Sequence, residues 1–164
     1  MNKYLDAINE INEYISDFNI LLSDSYKVPI LDINELYNDE YFLNLNGRVW
    51  DEFSFPRNFT VGGVYFYFGY TQDSSEKVGI YIGKASLSST TGKRLWNHFR
   101  HAFNDEGKVF KKSYNGDNYH VELITLIPIE NEIALCLAPA LEEHLIRKID
   151  NNSKTKLINV QGIK

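Results

Sequence analysis

Along the first part of the chain the apolar residues Leu5, Ile8, Ile11, Ile15, Phe18 and Leu22 recur every three or four positions. That period predicts an amphipathic helix over residues 2–22 with one apolar stripe, ended by Asp24, Ser25 and Pro29. A shorter helical piece follows around residues 34–41, and then Asn46-Gly47 and residues 54–56 punctuate a loop. From Val61 the texture changes. Residues 61–70, VGGVYFYFGY, are dense in β-branched and aromatic side chains and read as a strand. The polar run TQDSSE turns the chain into a second strand over residues 77–83, so the pair predicts an antiparallel hairpin. Residues 88–91 offer capping hydroxyls for a helix over 93–103 that turns Leu95, Phe99, Ala102 and Phe103 inward. Residues 104–118 form a polar loop, residues 119–127 a third strand ended by Pro128, and residues 131–149 a long amphipathic helix. Pro139 kinks that helix or divides it into two. The stretch 151–164 is polar apart from Leu157, Ile158, Val160 and Ile163.

The pattern divides the chain into a helical, acidic N-terminal extension, residues 1–60, and an α/β (α+β) domain, residues 61–164, with a three-stranded antiparallel sheet flanked by helices. A length of 164 residues suits one domain with an appendage better than two independent domains. Hydrophobic residues at 43% are enough for a compact core. No apolar run approaches the roughly 18 residues that span a bilayer, and the start lacks the basic end of a signal peptide. The polar face of the first helix is acidic, so its stripe is expected to pack on the protein rather than on a membrane. The single cysteine, Cys136, excludes an internal disulfide and a Cys-rich zinc site. A reducing cytoplasm is the natural location, and Cys136, between Leu135 and Leu137, reads as a small buried hydrophobe.

The net charge of −5 speaks against a nucleic-acid partner only as an average. Residues 1–60 hold four basic against eleven acidic side chains, a net of −7. Residues 84–112 hold Lys84, Lys93, Arg94, Arg100, Lys108, Lys111 and Lys112 against Asp105 and Glu106, a net of +5. A basic stretch of this kind can form a footprint for phosphates inside an acidic protein, or it can be a solvated helix face.

Candidate chemistry sits in the same part. Arg94 supplies a fixed fork of donors that matches phosphate geometry and keeps its charge. His98 lies four residues on, at the spacing that puts both side chains on one helix face. Glu142 on a helix can hold a hard divalent cation that retains several waters. Tyr65 or His98 can pass a proton to or from water, although a tyrosine with its ordinary pKa of about 10 is a poor base until nearby cations lower it.

In order, Gly63-Val64-Tyr65, Tyr81-Ile82-Gly83-Lys84, Arg94, His98, Glu142 and Asn159 resemble the GIY-YIG nucleases, over about residues 61–160. The run GIYIG at residues 79–83 contains both motif names, but the family carries its two tyrosines on neighbouring strands, which one strand cannot supply. Gly63-Val64-Tyr65 is therefore the first motif. The resemblance implies the GIY-YIG fold and a metal-dependent endonuclease that hydrolyses DNA phosphodiesters with one divalent cation, Mg or Mn, on Glu142. It makes Tyr65 the leading base, with His98 and Tyr81 assisting, and gives Asn159 the role of orienting the site. Glu142 is preferred to Glu143 because it stands three before Leu145-Ile146, the family's usual spacing. Lys84 and Arg94 join the catalytic set. Lys93, Arg100, Lys108, Lys111 and Lys112 are expected on DNA, and Tyr67, on the same strand face as Tyr65, is a candidate for lining the cleft.

So compact a chain has no room for a separate recognition domain, which favours a restriction-like or antiphage enzyme that reads DNA from loops. A double-strand break would then need a homodimer or two visits. A catalytically silent docking module with the same fold is the alternative. A nuclease toxin with an immunity partner is another, and a restriction role would bring a modification partner.

Overall fold

The computed structural model describes residues 3–36, 38, 41–45, 57–71, 77–86, 89–101, 109–110, 119–150 and 155–159. Among these residues, three helices, α1 (Leu5–Asn19), α2 (Thr91–His101) and α3 (Ala138–Asp150), flank one mixed sheet. Its strands are β1 (Phe42–Asn44), β2 (Gly63–Thr71), β3 (Val78–Ala85), β4 (Val109–Phe110), β5 (Tyr119–Pro128) and β6 (Thr155–Leu157).

The strands lie in the order β1-β5-β2-β3-β6, with the two-residue β4 also paired to β5. β5, β2 and β3 are antiparallel, as the three long β patterns predict. The sheet is nevertheless larger than the three antiparallel strands expected. β1 pairs antiparallel to β5 from inside the segment read as helical, and β6 pairs parallel to β3. Both additions are three residues long, too short to show a period. A β-bulge in β2–β5 pairing falls between Phe68 and Gly69.

Alternation along β2 and β3 sends side chains to two cores. One contains Val64, Phe66, Phe68, Ile80 and Ile82 with Ala7, Ile8, Ile11 and Ile15 of α1 and Leu141, Leu145 and Ile149 of α3. The stripe of α1 thus packs on the protein, and residues before 61 share this core with the sheet. On the other face Tyr65, Tyr67, Tyr119, Val121, Ile124 and Leu126 meet Leu95 and Phe99 of α2.

Local signals account for the helix ends. The Thr90 hydroxyl accepts from the Lys93 N–H at 3.2 Å and caps α2. Pro139 stands in the first turn of α3, where its missing N–H costs nothing, and a 3-10 turn over Ala134–Leu137 precedes it. The long helix read over 131–149 is therefore divided at this proline. Asn12 and Asn19 tie a strap to α1: each side chain bonds both backbone groups of one residue, Leu31 at 2.8 Å and Val28 at 2.9 Å. Among the described residues no helix is long and apolar enough to cross a membrane.

Candidate active site

Three tyrosines gather on the α2 face because of strand register. Tyr67 stands opposite Tyr81 across β2 and β3, and their rings stack at 5.1 Å. Tyr65, two residues before Tyr67, has its ring 5.5 Å from that of Tyr67 and 6.4 Å from that of Tyr81. Its cross-strand partner is Gly83. A Cβ at that position would stand 2.3 Å from the Tyr65 ring. Glycine therefore lets Tyr65 lie across β3 and reach Tyr81, which is the physical reason for glycine at this position.

Helix α2 closes the cluster. His98 meets all three rings edge-on at 5.9 to 6.1 Å, and its Nδ1 lies 2.7 Å from the Tyr67 hydroxyl. One turn earlier, the exposed Arg94 donates from Nε to the Lys84 carbonyl at 3.4 Å. Lys84 in turn forms an ion pair with Glu142 of α3. Neighbouring Glu143 is exposed and paired with Arg147, so Glu142 is the glutamate that reaches the cluster. From the far side of β3, Asn159 accepts from the Ile82 N–H at 2.8 Å and donates to the Ile82 carbonyl. The side chain thereby behaves as one more residue of β6, fixing the backbone between Tyr81 and Gly83.

Burial dominates the electrostatics. It pushes the Tyr65 phenol well above its ordinary pKa, and the neighbouring Tyr81 adds to the rise while Arg94 opposes it. Burial also raises Tyr81, as does the Glu142 charge, but Arg94 and a hydrogen bond from Tyr65 act in the opposite direction. That bond favours ionised Tyr81 and disfavours ionised Tyr65. Tyr65 is 2% exposed, whereas Tyr81 is half-buried, so solvent reaches Tyr81 first.

The fold therefore brings together Tyr65, Tyr81, Lys84, Arg94, His98, Glu142 and Asn159. Lys93 and Arg100 lie exposed on the outer side of α2, and Lys108, Lys111 and Lys112 fall outside the described residues. Two sequence readings are corrected. Tyr67 is fully buried beneath the cluster and lines no cleft. Cys136 is exposed, because its 3-10 turn points it outward while its thiol donates back to the Ile133 carbonyl at 3.0 Å. Tyr119 carried no functional signal in the sequence. Its buried hydroxyl donates to the carbonyls of Tyr67 at 2.7 Å and Gly79 at 2.8 Å, bracing the strands that bear the tyrosines. The remaining histidines lie elsewhere: His101 is exposed, His120 stacks on Tyr70, and His144 packs on Phe18.

Among the described residues no three His, Cys, Asp or Glu side chains cluster as a multidentate metal site. The donor set at Glu142 is a single carboxylate, 17% exposed, already facing the positive charge of Lys84. One carboxylate suits a magnesium-like cation, which is held by one or two such groups and keeps most of its waters. A broad open groove between α1 and residues 29–34 lies on the other side of the sheet and contains none of these residues. Compared with protein-family models, with curated proteins and with solved structures, the chain matches none.

Proposed function

We propose that this protein is a divalent-metal-dependent endonuclease that hydrolyses DNA phosphodiester bonds, of restriction or defence type. What supports the reading is the meeting of Tyr65, Tyr81, Arg94 and His98 beside the Lys84–Glu142 pair, on four separate elements of the fold. Attack on a phosphodiester needs an acceptor for the water proton, charge compensation at the phosphate oxygens, and support for the leaving oxygen.

Arg94 offers its guanidinium fork to the scissile phosphate, with Nε anchored on the Lys84 carbonyl. Tyr81, the member of the tyrosine pair that solvent reaches, takes the proton from the attacking water. It does so as the phenolate, which Tyr65 stabilises by donating to the Tyr81 oxygen, and it becomes the neutral phenol. Glu142 would hold the cation, and Lys84 would then exchange its carboxylate partner for phosphate. A divalent ion there supplies positive charge that polarises the phosphate and acidifies nearby water.

The test is cleavage of plasmid and of single-stranded DNA with magnesium, manganese or EDTA, by the wild type and by Glu142→Ala. Metal-dependent cutting by the wild type alone is the expected result. DNA binding without cutting in any metal would leave a docking module in place of an enzyme.

A further inference from the structure

His98 is held from beneath. Tyr67 is fully buried, stacked on Tyr81, with its backbone carbonyl receiving the Tyr119 hydroxyl. Its own hydroxyl meets Nδ1 of His98 at 2.7 Å, and the two rings stand nearly perpendicular at 79°. The nitrogens of an imidazole point in widely different directions, so an Nδ1 directed at a buried phenol turns Nε2 away from it. His98 is half-buried and belongs to the same cluster as Arg94 and Tyr81.

We infer that Tyr67 donates its hydroxyl proton to Nδ1 and so fixes neutral His98 as the Nε2–H tautomer, making His98 a hydrogen-bond donor to the substrate phosphate. Tyr67 is then a positioning residue, acting through His98 without touching the substrate. The choice of donor follows from acidity. A phenol is a far stronger acid than the N–H of neutral imidazole, and the unprotonated ring nitrogen is the better acceptor, so the shared proton lies on the oxygen side. Burial, reinforced by the charges that Tyr65 and Tyr81 would carry, holds Tyr67 well above the ordinary phenol range and keeps that proton in place. In this tautomer the nitrogen facing away from Tyr67 already carries a proton and cannot accept one. His98 therefore serves the phosphate, and proton abstraction falls to the tyrosine pair.

The inference about phosphate rests on the nuclease reading, but the tautomer does not. It is read by nitrogen-15 NMR of imidazole-labelled protein near neutral pH, with His98→Gln identifying the His98 signals among the four histidines. The expected result is a protonated Nε2 and an unprotonated Nδ1 in the wild type, with the Nδ1–H form gaining population in Tyr67→Phe. An Nδ1–H tautomer in the wild type, or an unchanged tautomer in Tyr67→Phe, overturns the inference even if the protein cuts DNA. A tautomer shift in a protein that cuts nothing upholds the positioning and removes the nuclease reading. Where cutting is measurable, Tyr67→Phe is expected to lower kcat roughly tenfold with KM little changed, the scale of one lost hydrogen bond.

Discussion

On the α1 and α3 side of the sheet, Val64, Phe66, Phe68, Ile80 and Ile82 meet mainly hydrocarbon, with one buried phenol, Tyr4, whose hydroxyl donates to Glu122. On the α2 side, alternate positions of the same two strands carry Tyr65, Tyr67 and Tyr81. Both faces exclude water, but they do so under different constraints. Hydrocarbon asks only to be enclosed, whereas every buried phenol needs a partner for its hydroxyl. Those partners are Tyr81 for Tyr65, His98 for Tyr67, and the Tyr67 and Gly79 carbonyls for Tyr119. Tyr4 apart, the hydrocarbon face can therefore be repacked by volume, while the tyrosine face is fixed atom by atom. In this reading, stability comes mainly from the α1 and α3 side, and the tyrosines, Arg94 and His98 supply chemistry from the other, joined by the Lys84–Glu142 pair that α3 brings.

The sharpest test of that division is Arg94→Lys, on the tyrosine side. Charge and helix propensity are nearly conserved, yet the planar fork is lost. Cleavage should fall on the order of 100- to 1000-fold, the range seen when one preorganised donor is removed. Thermal unfolding should stay where it was. Turnover close to wild type would reduce Arg94 to an anchor for DNA.

The opposite change is Ile11→Ala, in the hydrocarbon core and fully buried. A loss of about 2–5 kcal/mol in urea denaturation is expected from the transfer and cavity terms. The rate per folded molecule should be unchanged. If kcat dropped with the fold intact, the two faces would be coupled, and α1 would have to be counted as part of the catalytic apparatus.

A subtler difference lies in pH. Tyr65, Tyr67 and Tyr119 all have folded pKa values raised by burial. Below pH about 10 they are protonated in both folded and unfolded chains and contribute no slope. Above it the unfolded chain ionises first, so stability falls as pH rises, by about 1.4 kcal/mol per pH unit for each such tyrosine. Denaturation between neutral and strongly alkaline pH should follow that slope, and near-ultraviolet tyrosine absorbance should ionise together with unfolding. Ionisation well before unfolding would show the phenols to be reachable by water.

Much of the candidate site was legible because its signals are local. Period placed Tyr65 and Tyr81 on paired strands, and four-residue spacing placed Arg94 and His98 on one helix face. What escaped depends on depth and on distant pairing. Alternation put Tyr67 on the correct face but could not tell a cleft wall from a floor, and register with Tyr81 made it the floor. β1 and β6 carry too few residues for a pattern and exist only because long strands offer them an edge. Cys136 was read as buried because its neighbours are leucines, whereas in the 3-10 turn over Ala134–Leu137 it is the exposed residue.

Asn159 gives the site an order in time. It follows Tyr65, Tyr81, Arg94, His98 and Glu142 along the chain, so a ribosome makes every proposed catalytic side chain before the residue that secures Ile82 between Tyr81 and Gly83. β6, which pairs with the outer edge of β3, is equally late. Tyr65, Tyr81, Arg94 and His98 are thus made at least 61 residues (159 − 98) before this clasp, and Glu142 only 17 (159 − 142) before it. On the proposed reading, the site reaches its final geometry only once this clasp has been made.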